Sequence, residues 1–196
     1  MNLLLTSGEI GGIIGGSVAG VIILIIIIWA IATHNKFVAL RNQYEEAFHN
    51  IDIYCKKRYD LIPNLVETVK GYTKHESATL EKVIQARSKA LTASTTAEKI
   101  EANAQLTSVL RGFNRVTERY PELKANTNFL DLQNQLKVIE NELANARKYY
   151  NATIKVFNTK KDTFPSSIVA KCMHLEKQPY FELESPEERQ NVKVQF

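Results

Sequence analysis

The hydropathy pattern begins with an uncharged, mostly apolar run from Ile10 to Ala32. About 20 such residues are enough for a helix to span the hydrocarbon core of a bilayer. A cleaved signal peptide is the alternative, because Ala30-Ile31-Ala32 resembles a small-x-small cleavage site. No Lys or Arg precedes Lys36, and the apolar run is longer than the core of a typical signal peptide. The pattern therefore favours a transmembrane anchor.

Beyond the apolar segment, apolar positions recur every three or four residues, which is the period of an amphipathic helix. This stripe begins at Phe37 with no turn signal before it, so the anchor is predicted to continue into a helical domain as one rod. The segment from Arg58 to Asn64 interrupts the stripe. Asp60 is a good N-cap and Pro63 suits a first helical turn, so a second helix is predicted to begin there. The pattern leaves open whether Pro63 breaks the rod or only kinks it.

Two more helices are predicted in the second half of the chain. The Thr92–Thr96 segment is rich in residues that favour caps and turns, and a third helix follows from about Ala97 to the Tyr120-Pro121 step. Asn126 is placed to cap a fourth helix that ends near Lys160. No alternating pattern is long enough for a core strand. The prediction is an all-α fold: an antiparallel bundle of three or four helices with an irregular carboxy-terminal tail.

The same pattern divides the chain and orients it. The predicted parts are a short extracytoplasmic amino terminus at residues 1–9, a transmembrane helix at 10–32, a bundle at 33–162 and a tail at 163–196. Glu9 is the one charged residue before the span, and every Lys and Arg follows it. The positive-inside rule then places the amino terminus outside and the bundle in the cytoplasm.

Composition narrows the classes of function. The 25 Lys and Arg residues against 21 Asp and Glu leave a net charge of +4, which is too small and too dispersed to predict a nucleic-acid partner. Two cysteines, Cys55 and Cys172, exclude a disulfide-built scaffold and a Cys-rich zinc module. Cys55 lies on the apolar stripe and is interpreted as a buried structural thiol.

No catalytic, cofactor-binding or metal-binding residue is predicted. The histidines form no His-Glu-x-x-His motif, and Gly71 and Gly112 are isolated inside predicted helices, so no glycine-rich phosphate loop is present in the sequence. Glu45, His49 and Asp52 share one helix face and could hold a metal in principle. A solvated helix flank explains these three side chains better. An uncharacterised hydrolase is therefore the least favoured class.

Glycines in and beside the apolar segment recur at four-residue steps, at Gly8, Gly12, Gly16 and Gly20. Small residues at this spacing form a shallow groove that lets another helix backbone approach closely. A generic glycine-rich membrane helix is the alternative interpretation. Three consecutive steps favour self-association of the anchors, so the predicted partners are the lipid bilayer and other copies of the chain.

Several motifs give the chain a family resemblance. Residues 58–66 read RYDLIPNLV, which is the most specific of them and contains Arg58, Asp60, Pro63 and Asn64. With this motif the chain resembles the LemA family, and the resemblance covers nearly the whole chain from Leu40. Further matches are LRNQ at 40–43, YPELKAN at 120–126, ARKYYN at 146–151, FPS at 164–166 and PYFE at 179–182.

The resemblance implies a single-pass protein of the bacterial inner membrane with a cytoplasmic helical bundle and no assigned chemistry. One branch of the family is linked to magnetosome membrane formation, which favours membrane organisation as the role. The leading hypothesis is a non-enzymatic scaffold that self-associates through its anchor and bundle. The alternative is a monomeric membrane adaptor that recruits an unidentified partner, for example a protease or a quality-control factor.

The end of the fourth helix returns to the membrane if the chain breaks at Pro63 and each later loop reverses it. The last turns of that helix are basic, and the segment 164–175 is apolar on one face. A lid packed on the end of the bundle is the alternative, and the residues after it either dock on a bundle or form a disordered end. The residues expected to face lipid are Lys155, Lys160, Lys161, Phe164 and Ile168.

Overall fold

The structure is a computed structural model that describes residues 7–73 and 76–181, with side chains from residue 15 onward. Within that part of the chain no strand is present, and the all-α prediction is confirmed. The helices described are α1 (Ser7–Lys70), α2 (Ser77–Thr92), α3 (Thr96–Thr117), α4 (Pro121–Lys124), α5 (Thr127–Asp162) and α6 (Ser166–Cys172).

The helix α1 runs unbroken from the apolar segment into the domain, so the predicted continuous rod is confirmed. It also continues through Pro63, and the expected helix start at Asp60 is wrong: Asp60 lies exposed in the helix interior. The chain reverses instead after Gly71, which we expected inside a helix. Glycine commonly follows a helix end, and here the Tyr72 N–H donates to the Val69 carbonyl at 2.9 Å, which tightens the last turn.

A side chain from α2 explains how α1 accommodates a proline in its interior. Pro63 has no N–H, so the carbonyl oxygen of Tyr59, four residues earlier, lacks its usual helical donor. The Nε–H of Arg87 donates to that oxygen at 2.7 Å. This donor comes from a different helix, so the residues around Pro63 give no sign of it. The local sequence alone therefore makes Pro63 look like a helix start.

One compact unit is formed, among the described residues, by 44–154 and 179–181. In this unit α2 runs back along α1 after the reversal, which brings Arg87 beside the Pro63 turn. The helix α3 runs parallel to α1, because Lys99 pairs with Asp52 at 2.5 Å and Thr107 lies further along, against Arg58.

The helix α5 is antiparallel to α1 and completes the bundle. Glu140 contacts Arg58 at 2.9 Å, and Tyr150, later in α5, packs on Phe48, earlier in α1, with ring centroids 5.6 Å apart. The helices α1, α2, α3 and α5 thus form an up-down-up-down four-helix bundle, which agrees with the antiparallel bundle of three or four helices predicted from the sequence. Its largest fully buried apolar side chains are Ile51, Ile62, Leu65, Leu106, Phe113, Leu123, Phe129, Leu143 and Tyr150.

Local capping determines where α3 and α5 begin. The Thr95 hydroxyl accepts from the Glu98 N–H at 3.1 Å, and the Glu98 carboxylate accepts from the Thr95 N–H at 3.0 Å, which together form a capping box. The Asn126 side chain accepts from the Phe129 N–H at 2.9 Å, so the predicted cap of the fourth helix is confirmed. Both loops lie where the sequence placed them.

A second unit is formed by residues 7–43 and 155–178. Within it the ring of Phe157 in α5 meets Phe37 in α1 edge to face, with centroids 6.2 Å apart. The tail was expected to be irregular, yet it contains the short helix α6. The Ser166 hydroxyl ties the start of α6 to the end of α5 by donating to the Lys160 and Thr163 carbonyls.

Two asparagines of α5 hold the extended tail that follows α6. Asn158 donates to the Gln178 carbonyl and accepts from the Gln178 N–H, both at 3.0 Å. In the other unit Asn151 does the same for Phe181, at 2.8 and 2.9 Å. Each amide satisfies both backbone groups of one residue, as a neighbouring strand would. The segment 182–196 lies outside the described residues.

Candidate functional site

A charged side chain occupies the centre of the four-helix unit. The side chain of Arg58 is 0% exposed, and its Nη1 donates to Thr107 Oγ1 and Glu140 Oε1, each at 2.9 Å. Its Nη2 donates to Asn103 Oδ1. One guanidinium therefore joins α1, α3 and α5 through three polar partners.

Asn103 is the second hub of this cluster. Its Oδ1 accepts not only from Arg58 but also from the Tyr59 hydroxyl and the Cys55 thiol, each at 3.1 Å. Its Nδ2 donates to the Lys99 carbonyl at 2.8 Å, which fixes the amide orientation. Four hydrogen bonds thus hold one buried amide, and we name Cys55, Arg58, Tyr59, Asn103, Thr107 and Glu140 the Arg58 cluster.

Burial keeps the thiol and the phenol of this cluster in their protonated forms. Burial raises the pKa of the Cys55 thiol, although Arg58 and Arg147 oppose that rise, and burial likewise raises the pKa of Tyr59. Both groups therefore stay protonated at neutral pH and act as hydrogen-bond donors. A protonated, buried thiol is a poor nucleophile. The predicted burial of Cys55 is confirmed, and the hydrogen bonds of the cluster join three helices.

A groove between α3 and α5 opens at the outer edge of the Arg58 cluster. Its volume is about 550 Å³, and Thr107 and Glu140 form the part of its wall nearest to Arg58. The Glu140 side chain is 32% exposed, so the cluster reaches solvent here. The remaining wall combines Leu110 and Leu136 with the polar residues Arg111, Asn114, Gln133, Asn134 and Lys137.

The residues of the RYDLIPNLV motif take different roles in the structure. Arg58 is buried, whereas Asp60, Pro63 and Asn64 are exposed on the surface of α1. Asp60 is not a cap, because the helix has already run through it. The motif thus contributes one buried charge, Arg58, and the helical turn at Pro63, in which Arg87 bonds to the carbonyl oxygen that the proline leaves without a backbone donor.

The glycines at four-residue steps in α1 have open space beside them where the structure describes their surroundings. A Cβ atom built on Gly16 or Gly20 meets nothing within 4 Å, and the same holds for Gly15. Gly8 and Gly12 belong to α1, but their surroundings lie outside the described part. Of the helices described, α1 is long and apolar enough to cross a membrane, by length and composition. The groove residues are therefore not covered by this chain's own described atoms.

The lysines expected to face lipid lie at the end of α5. Lys155 is exposed, and the Nζ of Lys160 lies 6.0 Å from the ring centroid of Phe37, a few residues beyond the apolar segment. Lys161 bonds Asp162 at 3.3 Å. The next residues, Phe164 and Ile168, are exposed. Lipid contact of these five residues stays a prediction.

Sequence analysis did not identify four residues of the four-helix unit that bond to α1. Asn103 and Glu140 stand at positions of the apolar stripes of α3 and α5, beside Leu106 and Leu143. A polar residue inside an apolar stripe is the signal that identifies a buried partner. The other two, Thr107 and Arg87, are half-buried, and nothing in the sequence pattern marked them as partners of α1.

The face of α1 that carries Glu45, His49 and Asp52 is solvated at two of these three positions. Glu45 and His49 are exposed, and Asp52 pairs with Lys99. Among residues 15–73 and 76–181, no group of three or more His, Cys, Asp or Glu side chains is arranged to hold a metal ion.

Comparison with known proteins assigns the family. Residues 47–196 match the profile of the LemA family. The Protein LemA of Metamycoplasma hominis is 28% identical over 142 residues, which is 72% of this chain and 65% of the relative. The chain thus spans less than two thirds of that relative's length. Since the family profile covers most of the sequence, including the motif around Arg58, the chain belongs to the LemA family.

Proposed function

We propose that this protein is a non-enzymatic scaffold, anchored in the bacterial inner membrane by residues 10–32, that self-associates to organise or shape the membrane. In this proposal the amino terminus lies outside and the bundle at 33–162 lies in the cytoplasm. The observation that carries it is the open glycine face of α1, together with the unbroken helix that joins this face to the bundle.

The chemistry of the described residues supports a structural role. Both terminal nitrogens of Arg58 are engaged in contacts between helices, and the thiol and phenol of the Arg58 cluster stay protonated. The charge asymmetry around the apolar segment supports the orientation, because every basic residue follows the span. The unbroken helix α1 connects the predicted anchor to the bundle.

The size of the assembly in a bilayer tests the proposal. Full-length protein is reconstituted in lipid vesicles, and subunits are counted by single-molecule photobleaching. Gly16→Leu and Gly20→Leu should shift the oligomers towards monomers, because each side chain holds two backbones apart. Val18→Leu is the matched control, since it adds bulk to a different face of the same helix. A monomeric wild type, or oligomers unchanged by both glycine variants, would contradict self-association through the groove.

The groove between α3 and α5 favours a second candidate, the monomeric adaptor. Its wall combines amide side chains with the cations Arg111 and Lys137, a lining suited to a polar peptide segment of a partner. A monomeric protein that loses a defined partner on Lys137→Glu, but not on Lys82→Glu in α2, would support the adaptor over the scaffold.

A further inference from the structure

The tip formed by the end of α5 and by α6 presents an outward apolar face. Phe164, in the turn before α6, is 78% exposed, and Ile168 in α6 is 53% exposed, with Cys172 one helical turn later on the side of Ile168. Phe164 is the most exposed large apolar side chain among those of the described residues, and exposed apolar patches indicate surfaces that contact something other than water. We name Phe164, Ile168 and Cys172 the α6 face.

The end of α5, after which the α6 face follows in the chain, lies level with the end of the apolar segment. Phe157 packs on Phe37, and the two helices run in opposite directions there. From Phe157, α5 continues five residues to Asp162, and from Phe37 the apolar segment ends five residues earlier, at Ala32. At about 1.5 Å per residue both ends lie roughly 7–8 Å from the Phe37–Phe157 contact.

Side chains near the end of the apolar segment are consistent with a membrane boundary at this level. Trp29 is half-buried and Thr33 is buried, whereas residues 21–28 are exposed. Tryptophan is enriched where a helix leaves the hydrocarbon core. Among residues 21–33 of α1, the chain thus covers side chains at Trp29 and Thr33, near the end of the apolar segment.

A basic cleft adjoins the α6 face. It lies between the end of α5 and α6, has a volume of about 240 Å³, and its lining includes Lys161, Lys171 and the Ser167 side chain. The one carboxylate in the lining, Asp162, is neutralised by Lys177 at 2.9 Å and by Lys161 at 3.3 Å. The hydrogen bonds from Lys177 and Lys161 hold the pKa of Asp162 below its usual value. The cleft thus keeps a net positive charge beside exposed apolar side chains.

We propose that this tip docks on the leaflet from which α1 emerges. Phe164 and Ile168 insert at the interface, and Lys161 and Lys171 with Ser167 bind the phosphate of an anionic phospholipid headgroup. The combination of cations and protruding apolar side chains at the level of the span fits a lipid, whereas a free phosphate would use the cleft alone. The inference rests on the membrane anchoring proposed above, but not on self-association.

The native cysteines provide the reporter. Cys172 is exposed and Cys55 is buried, so a maleimide dye sensitive to polarity labels Cys172 in the folded full-length protein. In vesicles of phosphatidylcholine and phosphatidylglycerol, the dye should be shielded from aqueous acrylamide and quenched by lipids spin-labelled near the headgroup. The control carries Cys172→Ser and Lys70→Cys, which moves the dye to the exposed last turn of α1. That dye should be quenched by acrylamide and not by the lipid label.

Substitutions separate the apolar and the ionic contributions. Phe164→Ser with Ile168→Ser should expose the dye to acrylamide whatever the lipid composition of the vesicle. Both positions are exposed, so the fold should stay intact, and continued protection of Cys55 from labelling verifies this. Lys171→Glu should lower the ratio of docked to undocked protein about fivefold or more in anionic vesicles, since one lysine near such a surface contributes about 1 kcal/mol. Lys82→Glu in α2 is the matched control and should leave the ratio of docked to undocked protein unchanged.

Several outcomes would overturn the inference. Equal acrylamide quenching at positions 172 and 70 in membrane-inserted protein would show that the tip does not touch lipid. Shielding that persists after Phe164→Ser and Ile168→Ser would assign the face to protein contact, and shielding produced by inorganic phosphate in detergent would assign the cleft to a soluble anion. Loss of the protein from vesicles at alkaline pH would defeat the anchor itself. A change in subunit number alone would concern only the scaffold proposal.

Discussion

The Nε–H of Arg87 in α2 donates a 2.7 Å hydrogen bond to the carbonyl oxygen of Tyr59 in α1, four residues before Pro63. The proline removes the N–H that would serve this oxygen in a regular helix. Arg87 thus replaces a local backbone donor with a side chain from another helix. The turn at Pro63 stays helical because the bundle completes it.

Replacing Arg87 should therefore cost stability in a way that depends on Pro63. Arg87→Met keeps the length of the side chain but leaves the Tyr59 oxygen without this donor, at a cost of about 1–3 kcal/mol. Pro63→Ala should stabilise by up to about 3 kcal/mol, because alanine restores the backbone donor. In the double variant the loss from Arg87→Met should be smaller, which a double-mutant cycle by chemical denaturation measures. Equal losses with and without Pro63 would contradict this account.

Removing the central charge should be more damaging than breaking a surface pair. Arg58→Met strands three polar partners and should cost about 3–5 kcal/mol, and Glu140→Gln, at a partly exposed position, about 1–3 kcal/mol. Lys89→Ala breaks the exposed pair with Glu101 and should cost less than about 1 kcal/mol. Denaturation of the three variants in detergent compares them. A Glu140→Gln effect no larger than that of Lys89→Ala would show that Arg58 does not depend on this carboxylate.

The capping box of α3 should make stability depend on acid. Backbone hydrogen bonds from Thr95 and Ser94 lower the pKa of Glu98 to about 2 from a model-peptide value of 4.5. A lowered folded-state pKa contributes stability above pH 4.5, and that contribution is lost as the pH falls towards 2. Glu98→Gln keeps the capping geometry but cannot titrate, so its stability should fall less over this range. Parallel pH curves for wild type and variant would refute the assignment.

The asparagine contacts should hold the tail against α5. Asn158→Ala removes both hydrogen bonds to Gln178, each worth about 0.5–1.5 kcal/mol net, so amide exchange at Gln178 should accelerate. Asn145→Ala, at an exposed position of the same helix, is the control and should leave that exchange unchanged. Identical exchange at Gln178 in the two variants would mean that other contacts hold the tail.

Much of the architecture was accessible from local patterns. The apolar segment, the helical stripes, the loop around Thr95 and the cap at Asn126 all depend on residues within a few positions of each other. Their physics is that of helix periodicity and of side chains bonding to nearby backbone groups. The family resemblance, carried by the motif around Arg58, was confirmed by the match over residues 47–196.

The amino-acid sequence by itself determined an all-α fold with one apolar segment that leads into an antiparallel bundle of three or four helices. Only the tertiary structure decided where the first helix ends and what surrounds Arg58. Arg87 reaches across 28 residues to Tyr59, and Glu140 reaches across 82 to Arg58. Such partners are chosen by the packing of helices, and no local propensity encodes them. For that reason Pro63 resembled a helix start in the sequence and lies inside a helix in the fold.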